Sequence, residues 1–173
     1  MIWRGPMASQ ALEQLIHQTR WEGLDYLIVD MPPGTGDIQL TMAQKVPLTG
    51  AVIVTTPQDI ALLDAKKGIT MFQKVNVPVL GLIENMAVHV CSQCGHHEHI
   101  FGQEGGKRLA QQLGMDYLGA LPLALSIRTQ ADAGRPSVVA EPEGEIAQLY
   151  RQMARTLAAK VAQQGTKLAP KFP

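Results

Sequence analysis

Two kinds of apolar pattern alternate along the chain. Compact apolar runs occupy Asp25-Tyr-Leu-Ile-Val-Asp30, Ala51-Val-Ile-Val-Thr-Thr56, Val79-Leu-Gly-Leu-Ile83 and Tyr117-Leu-Gly-Ala-Leu121, the first two rich in β-branched residues, and runs of this kind predict buried strands. Between them apolar residues recur at helical spacing. Ala8, Leu12, Leu15 and Ile16 predict a helix over 8–19. A short helix over 38–45 is expected to end at Pro47 and Gly50. The next runs from an Asp59 cap to about Lys74, with Ile60, Leu63, Ile69, Met71 and Phe72 as its apolar residues. Further helices are expected over 104–113, stopped at Gly114, and over 124–133. The last covers about 143–163, where Ile146, Leu149, Tyr150, Met153, Leu157 and Val161 form one stripe. Residues 86–103 and 134–142 read as loops, and 164–173 as a tail that frays. Strands that are apolar throughout, alternating with helices, predict an α/β fold: a parallel sheet with helices on both faces. Methionines and aromatics on the stripes, such as Met42, Phe72 and Met153, are packing residues on this reading.

Composition narrows the function classes. At 173 residues the chain suits one domain, placed at 1–163. Lys plus Arg equals Asp plus Glu at 15 each, so no overall field favours nucleic acid or an anionic membrane. No apolar run approaches the roughly 20 residues of a membrane helix. The opening Met1-Ile-Trp-Arg-Gly-Pro lacks the apolar core of an export signal, which places the chain in the cytoplasm. The only two cysteines sit three apart, and in a reducing compartment such a pair points to a metal or redox site.

Three constellations carry chemistry. Asp30-Met-Pro-Pro-Gly34-Thr-Gly36-Asp37 follows an apolar run directly, so a buried strand would deliver a carboxylate to the carboxyl edge of the sheet, where ligands bind. Such an acid can hold the water shell of Mg²⁺, and glycine amides beyond it can sense a phosphate. No Gly-x-x-x-x-Gly-Lys-Ser/Thr segment occurs in the sequence, so this resembles half of a nucleotide site. Cys91-Ser-Gln-Cys94-Gly95-His96-His97-Glu-His99 can bring two thiolates to one metal, half of a four-ligand set. The other half is either His96, His97 or His99, giving a local zinc site, or the same pair from a second subunit, giving four thiolates on a two-fold axis. A thioredoxin-like pair would begin a helix after a strand, a setting this loop lacks. Asn85, after the strand at 79–83, offers the carbonyl and amide needed to read a purine edge, and is equally a common turn residue.

These blocks together resemble the iron–sulfur carrier ATPases of the Mrp/ApbC type, relatives of MinD and of nitrogenase iron protein. The resemblance runs through Trp3-Arg-Gly-Pro-Met7, Leu24 to Asp37, Val54-Thr-Thr-Pro-Gln-Asp59, Gly81-Leu-Ile-Glu-Asn-Met86, Cys91-Ser-Gln-Cys-Gly95, Ile100-Phe-Gly102 and Leu121-Pro122, covering about residues 2–163. It implies a MinD-like P-loop NTPase of the SIMIBI type that forms a homodimer, uses ATP and Mg²⁺, and carries a [4Fe-4S] cluster between subunits to apo iron–sulfur proteins. By position Asp30 looks like the Walker B acid and Gly34 like the switch II glycine. Asn85, Leu121 and Pro122 resemble the adenine contacts, and Cys91 and Cys94 the bridging cluster ligands. The resemblance gives His96, His97 and His99 no role.

One departure qualifies this picture. Family members carry their phosphate-binding loop and a switch I aspartate upstream of the segment matching Trp3. The resemblance therefore implies that about half of the domain lies outside these residues, including the central strand between those matching 25–30 and 51–55. The chain is then a truncated product or one piece of a split protein, the other half being a partner. Two strands of the sheet would have unpaired edges, and the chain alone would not be an ATPase.

Overall fold

The computed structural model describes residues 5–31, 36–46 and 48–164. Its centre is a three-stranded parallel sheet in the order β1-β2-β5, built from β1 (Ala51–Thr55), β2 (Val79–Glu84) and β5 (Tyr117–Ala120). Helix α3 (Asp59–Lys74) carries the chain from β1 to β2, and α4 (Gly105–Gln112) precedes β5. Ile53, Ile69, Leu82, Leu109 and Ala110 form the buried core between sheet and helices, with Leu62, Ala65 and Phe72 packed against it. The chain is then completed by α5 (Leu125–Asp132), α6 (Ser137–Ala140) and α7 (Glu145–Gln163). Ala147 and Met153 are the buried residues of α7. Met153 lies under β5, where a Cβ on Gly119 would stand 3.1 Å from its Cγ.

The expected parallel sheet with intervening helices is thus present, and β1, β2, α3, α4, β5 and α7 fall within two residues of their predicted bounds. Asp59 is the first helical residue of α3 rather than its cap; Gln58 occupies the cap position. Gly114 follows α4 with φ of +62°, the left-handed conformation that ends a helix. The predicted loop at 134–142 contains the single-turn α6.

The largest correction concerns residues 25–30, which form no strand. Strand geometry persists only when a neighbour takes up its amides and carbonyls. Among the described residues, no backbone hydrogen bond ties 25–31 to the sheet. The segment lies instead against a satellite cluster of α1 (Gly5–Gln18) and α2 (Asp37–Lys45). There Val29, Met31 and Leu48 pack on Ile16, Met42 and Val46, while Ile28 is 79% exposed.

The same imbalance shows at β1, which among the described residues pairs only with β2 and so has a free edge. Ile53 and Thr55 are buried while Val54, on the opposite face, is 59% exposed. Helical coverage on both faces is therefore incomplete at this strand. Ile60 and Leu63 also stand exposed, turned away from the Leu62, Ala65 and Ile69 stripe that meets the core. Leu15, expected in the core, is exposed on α1 beside buried Ile16. The side chains of Ala8 and Leu12, together with Gly34, Pro47 and the tail from 165, lie outside the described residues.

Candidate functional site

Because the three sheet strands are parallel, their carboxyl ends share one edge. Beyond it the chain is laced together by backbone bonds. Asn85 N–H donates to the Thr55 carbonyl at 2.7 Å, and Leu121 N–H donates to that of Glu84 at 2.9 Å. Ala87 N–H then reaches the Leu121 carbonyl, and Leu123 N–H that of Val88, both at 2.9 Å. Asn85, Leu121 and Pro122, separated by more than thirty positions in sequence, are thereby brought side by side. The Asn85 side chain is held as well, its Oδ1 accepting the Met86 N–H at 2.9 Å. Leu121 is buried, and Asn85 and Pro122 are half-buried. An edge of this kind offers a fixed carboxamide beside an apolar wall, the elements that grip a flat heterocycle.

Asp30 is not assembled into that edge. It is exposed, and its segment is unpaired. Gly34, its expected companion, lies outside the described residues.

The loop at 86–103 is more ordered than its irregular sequence implies. Strands β3 (His89–Val90) and β4 (His97–Glu98) form an antiparallel hairpin with both cysteines in its turn. Cys91 N–H donates to the His96 carbonyl at 2.9 Å, and Gly95 N–H to that of Cys91 at 2.8 Å. Gly95 has φ of +70°, which a β-carbon would strain. The hairpin is moored to the sheet edge at its base: His89 bridges Leu123, and His99 Nδ1 lies 2.9 Å from the Ala87 carbonyl. The signal available in the sequence was short: Val88-His89-Val90 is only three residues, too few for a period of two to register.

Cys91 is half-buried and Cys94 exposed, and neither is in a disulfide. Backbone amides of Gln93 and Cys94 point at the Cys91 sulfur and, aided by the Cys94 thiol, hold its pKa below the usual thiol value against the opposing effects of burial and Glu98. The thiolate is the form that binds metal. Alkylation of Cys91 in a Cys94→Ser variant is therefore expected to reach half its limiting rate at a lower pH than a free cysteine. The Gln93 and Cys94 amides survive that change. A midpoint equal to that of free cysteine contradicts the geometry.

Among the described residues, no three His, Cys, Asp or Glu side chains converge as a metal site. His96, His97 and His99 thus do not stand with the two thiols as a ready three-ligand group. A two-stranded turn fans its side chains outward, and the His99 ring is committed to Ala87. The two thiols remain half of a set.

Glu84 opens the Glu84-Asn85-Met86 segment, in which sequence reasoning assigns a role to Asn85 alone, and it is the main addition. It ends β2 fully buried, with Oε2 accepting the Gly106 N–H at the start of α4. Burial, helped by the carboxylates of Glu84 and Glu104, pushes the nearby Tyr117 phenol up to about 12.

The sheet, its helices and the loops at its carboxyl edge define the α/β architecture of the MinD-like P-loop NTPases. The chain superposes on the Pyrococcus furiosus cell-division ATPase MinD with a TM-score of 0.64 at 20% identity, over 90% of this chain and 59% of that one. It also superposes on the nucleotide-binding protein from Archaeoglobus fulgidus in complex with ADP, with a TM-score of 0.69 at 34% identity, over 80% of this chain and 56% of that one. The chain belongs to the ParA group described as NUBPL iron-transfer P-loop NTPases, whose family model matches residues 1–158. An iron–sulfur cluster carrier protein from Pseudomonas fragi is 64% identical over 156 residues, which is 90% of this chain and 54% of that protein. The chain spans about half the length of the curated relatives it matches. Among the described residues, no helix is long and apolar enough to cross a membrane.

Proposed function

We propose that this chain is the cluster-bearing portion of an iron–sulfur carrier, holding a [4Fe-4S] cargo between two copies and releasing it to apo iron–sulfur proteins. The observation that carries this reading is the hairpin tip: two thiols in an exposed turn, one biased toward thiolate, with no third ligand converging on them among the described residues. Two such pairs on a two-fold axis give the four thiolates that the cluster takes. Exposure at a tip suits delivery, because thiolates of an acceptor can displace Cys91 and Cys94 one at a time.

In the same reading Asn85 and the Leu121-Pro122 backbone grip the adenine of ATP. Asp30 and Gly34 act on the Mg²⁺ and γ-phosphate end. The residues present fit the base end of the nucleotide, since the carboxamide and apolar wall are already assembled. The lysine and glycine amides of a phosphate cradle are not part of this sequence. They would come from further polypeptide, a reading that the open edge of β1 and the strand-like but unpaired segment 25–30 support. ATP hydrolysis depends on positioning and charge stabilisation at the phosphates. The chain alone is accordingly expected to show no ATPase activity above background, and hydrolysis sensitive to Asp30→Ala would contradict this.

The cargo assignment is tested by anaerobic reconstitution followed by mixing with an apo iron–sulfur enzyme. Recovery of acceptor activity in step with loss of the carrier's brown absorbance is expected. A colourless zinc adduct at one ion per chain, with no brown species under any loading condition, overturns the assignment.

A further inference from the structure

Among the described residues, Glu84 is the only charged side chain in the buried interior, at 2% exposure. Carboxylates are rarely buried unless paired, because desolvation opposes the charged form. Glu84 has a partner of a particular kind. Its Oε2 accepts the N–H of Gly106, the second residue of α4. That amide belongs to the first turn, where no helical carbonyl is available and the helix dipole favours an anion.

The space around this contact is closed. A Cβ on Gly106 would stand 3.0 Å from Glu84 Oε2 and 2.9 Å from Leu82 Cδ2. One on Gly105 would meet the Pro57 carbonyl oxygen inside contact distance. Glu84 also binds through its backbone, its carbonyl accepting the Leu121 N–H at 2.9 Å, and its neighbour Asn85 donates to Thr55 at 2.7 Å. Glu84 and Asn85 together thus join the ends of β1, β2 and β5 to the start of α4.

The chain path gives this junction a consequence. The cysteine loop leaves the sheet directly after Asn85 and returns at Gly105, so Glu84 and Gly106 are the two sides of its neck. We infer that Glu84 is a positioning residue: its buried carboxylate latches the neck of the 86–103 loop and so fixes the Cys91–Cys94 hairpin to the sheet edge that carries Asn85. Inside the neck, Ala87, Val88 and His89 tie the entering side to Leu121 and Leu123, and His99 ties the returning side to Ala87. The returning side then runs into α4, whose first turn Glu84 holds.

The latch itself is a property of the metal-free chain, while its effect on cargo rests on the carrier reading above; two measurements keep these apart. The first is amide hydrogen exchange on the metal-free full chain. Glu84→Ala is expected to speed exchange of the bonded Cys91 and Gly95 amides by about tenfold, the scale of a lost hydrogen bond to a buried charged group. Exchange in β1 and β2 stays slow. Glu84→Gln, whose side-chain carbonyl still accepts, is expected to return the rates to within about threefold of the parent. The second measurement is iron loss to a chelator from the reconstituted protein, expected to be faster by about the same factor in Glu84→Ala and rescued by Glu84→Gln.

Unchanged exchange at Cys91 and Gly95 overturns the proposal. So does acceleration spread equally through β1, β2 and the loop, which would mark a general loss of stability. If Glu84→Ala does not fold, Glu84→Asp withdraws the carboxylate by one methylene while keeping its charge, and absence of loop-specific acceleration there overturns the proposal equally. Failure of the parent chain to take up any cluster would count against the carrier reading, and the exchange measurement would still decide the latch.

Discussion

Cys91→Ala is expected to abolish the brown absorbance of the anaerobically reconstituted chain and to return its iron content to background. A larger effect from a single atom is not expected anywhere in this molecule. The reason is structural. The hairpin turn supplies two thiols, and among the described residues there is no nearby histidine or carboxylate set able to take over a vacated position. With one thiol per chain, two copies offer two ligands where four are required. Cys94→Ala is expected to do the same, while His96→Ala, His97→Ala and His99→Ala each retain the cluster absorbance. Iron retained in Cys91→Ala, or lost in His96→Ala, contradicts this ligand set.

Gly105→Ala is expected to give a large stability change. The added methyl group would press on the Pro57 carbonyl oxygen and lie 2.9 Å from Leu62 Cδ1. The oxygen belongs to backbone at the end of β1, and Leu62 packs on the core, so neither can retreat without moving the sheet edge. Overpacking of this kind costs about 2–3 kcal/mol, which lowers Tm by roughly 5–10 °C in a domain of this size. Gly114→Ala, a control at a position with open space but φ of +62°, is expected to cost less, about 1 kcal/mol. Thermal unfolding of the two variants beside the parent checks the order. Equal Tm values would mean that α4 does not seat on Pro57 as closely as the geometry implies.

The elements legible in the sequence are those whose pattern is enforced from within the chain. β1, β2 and β5 are apolar because each meets the core on at least one face, and α3 and α7 repeat at helical spacing because one side of each meets the core. The segment 25–30 carries the same strand signal, yet forms no strand. Composition records what a segment can bury, while strand pairing depends on a neighbour that these residues do not provide. Ile60, Leu63 and Val54 belong to the same case: apolar in sequence and exposed in the structure.

The candidate site divides in the same way. Asn85 was legible because it follows a recognisable strand, the Leu121-Pro122 pair entered only through the family resemblance, and parallel pairing then places the strand ends together. The cysteines were legible from spacing alone, but the hairpin beneath them was not, since its strands are two residues long. Glu84 was hidden for a different reason. A carboxylate directly after an apolar strand is ordinarily an exposed strand end, and only the fold brings Gly106, 22 positions on, to its side.

The central claim is that two copies share one cluster through Cys91 and Cys94. Native mass spectrometry of the anaerobically reconstituted chain tests it most directly. The account predicts a dimer carrying four iron and four sulfide, which dissociates to metal-free monomer when the cluster is removed. A monomer carrying its own metal, or a dimer whose mass is unaffected by Cys91→Ala, would contradict it.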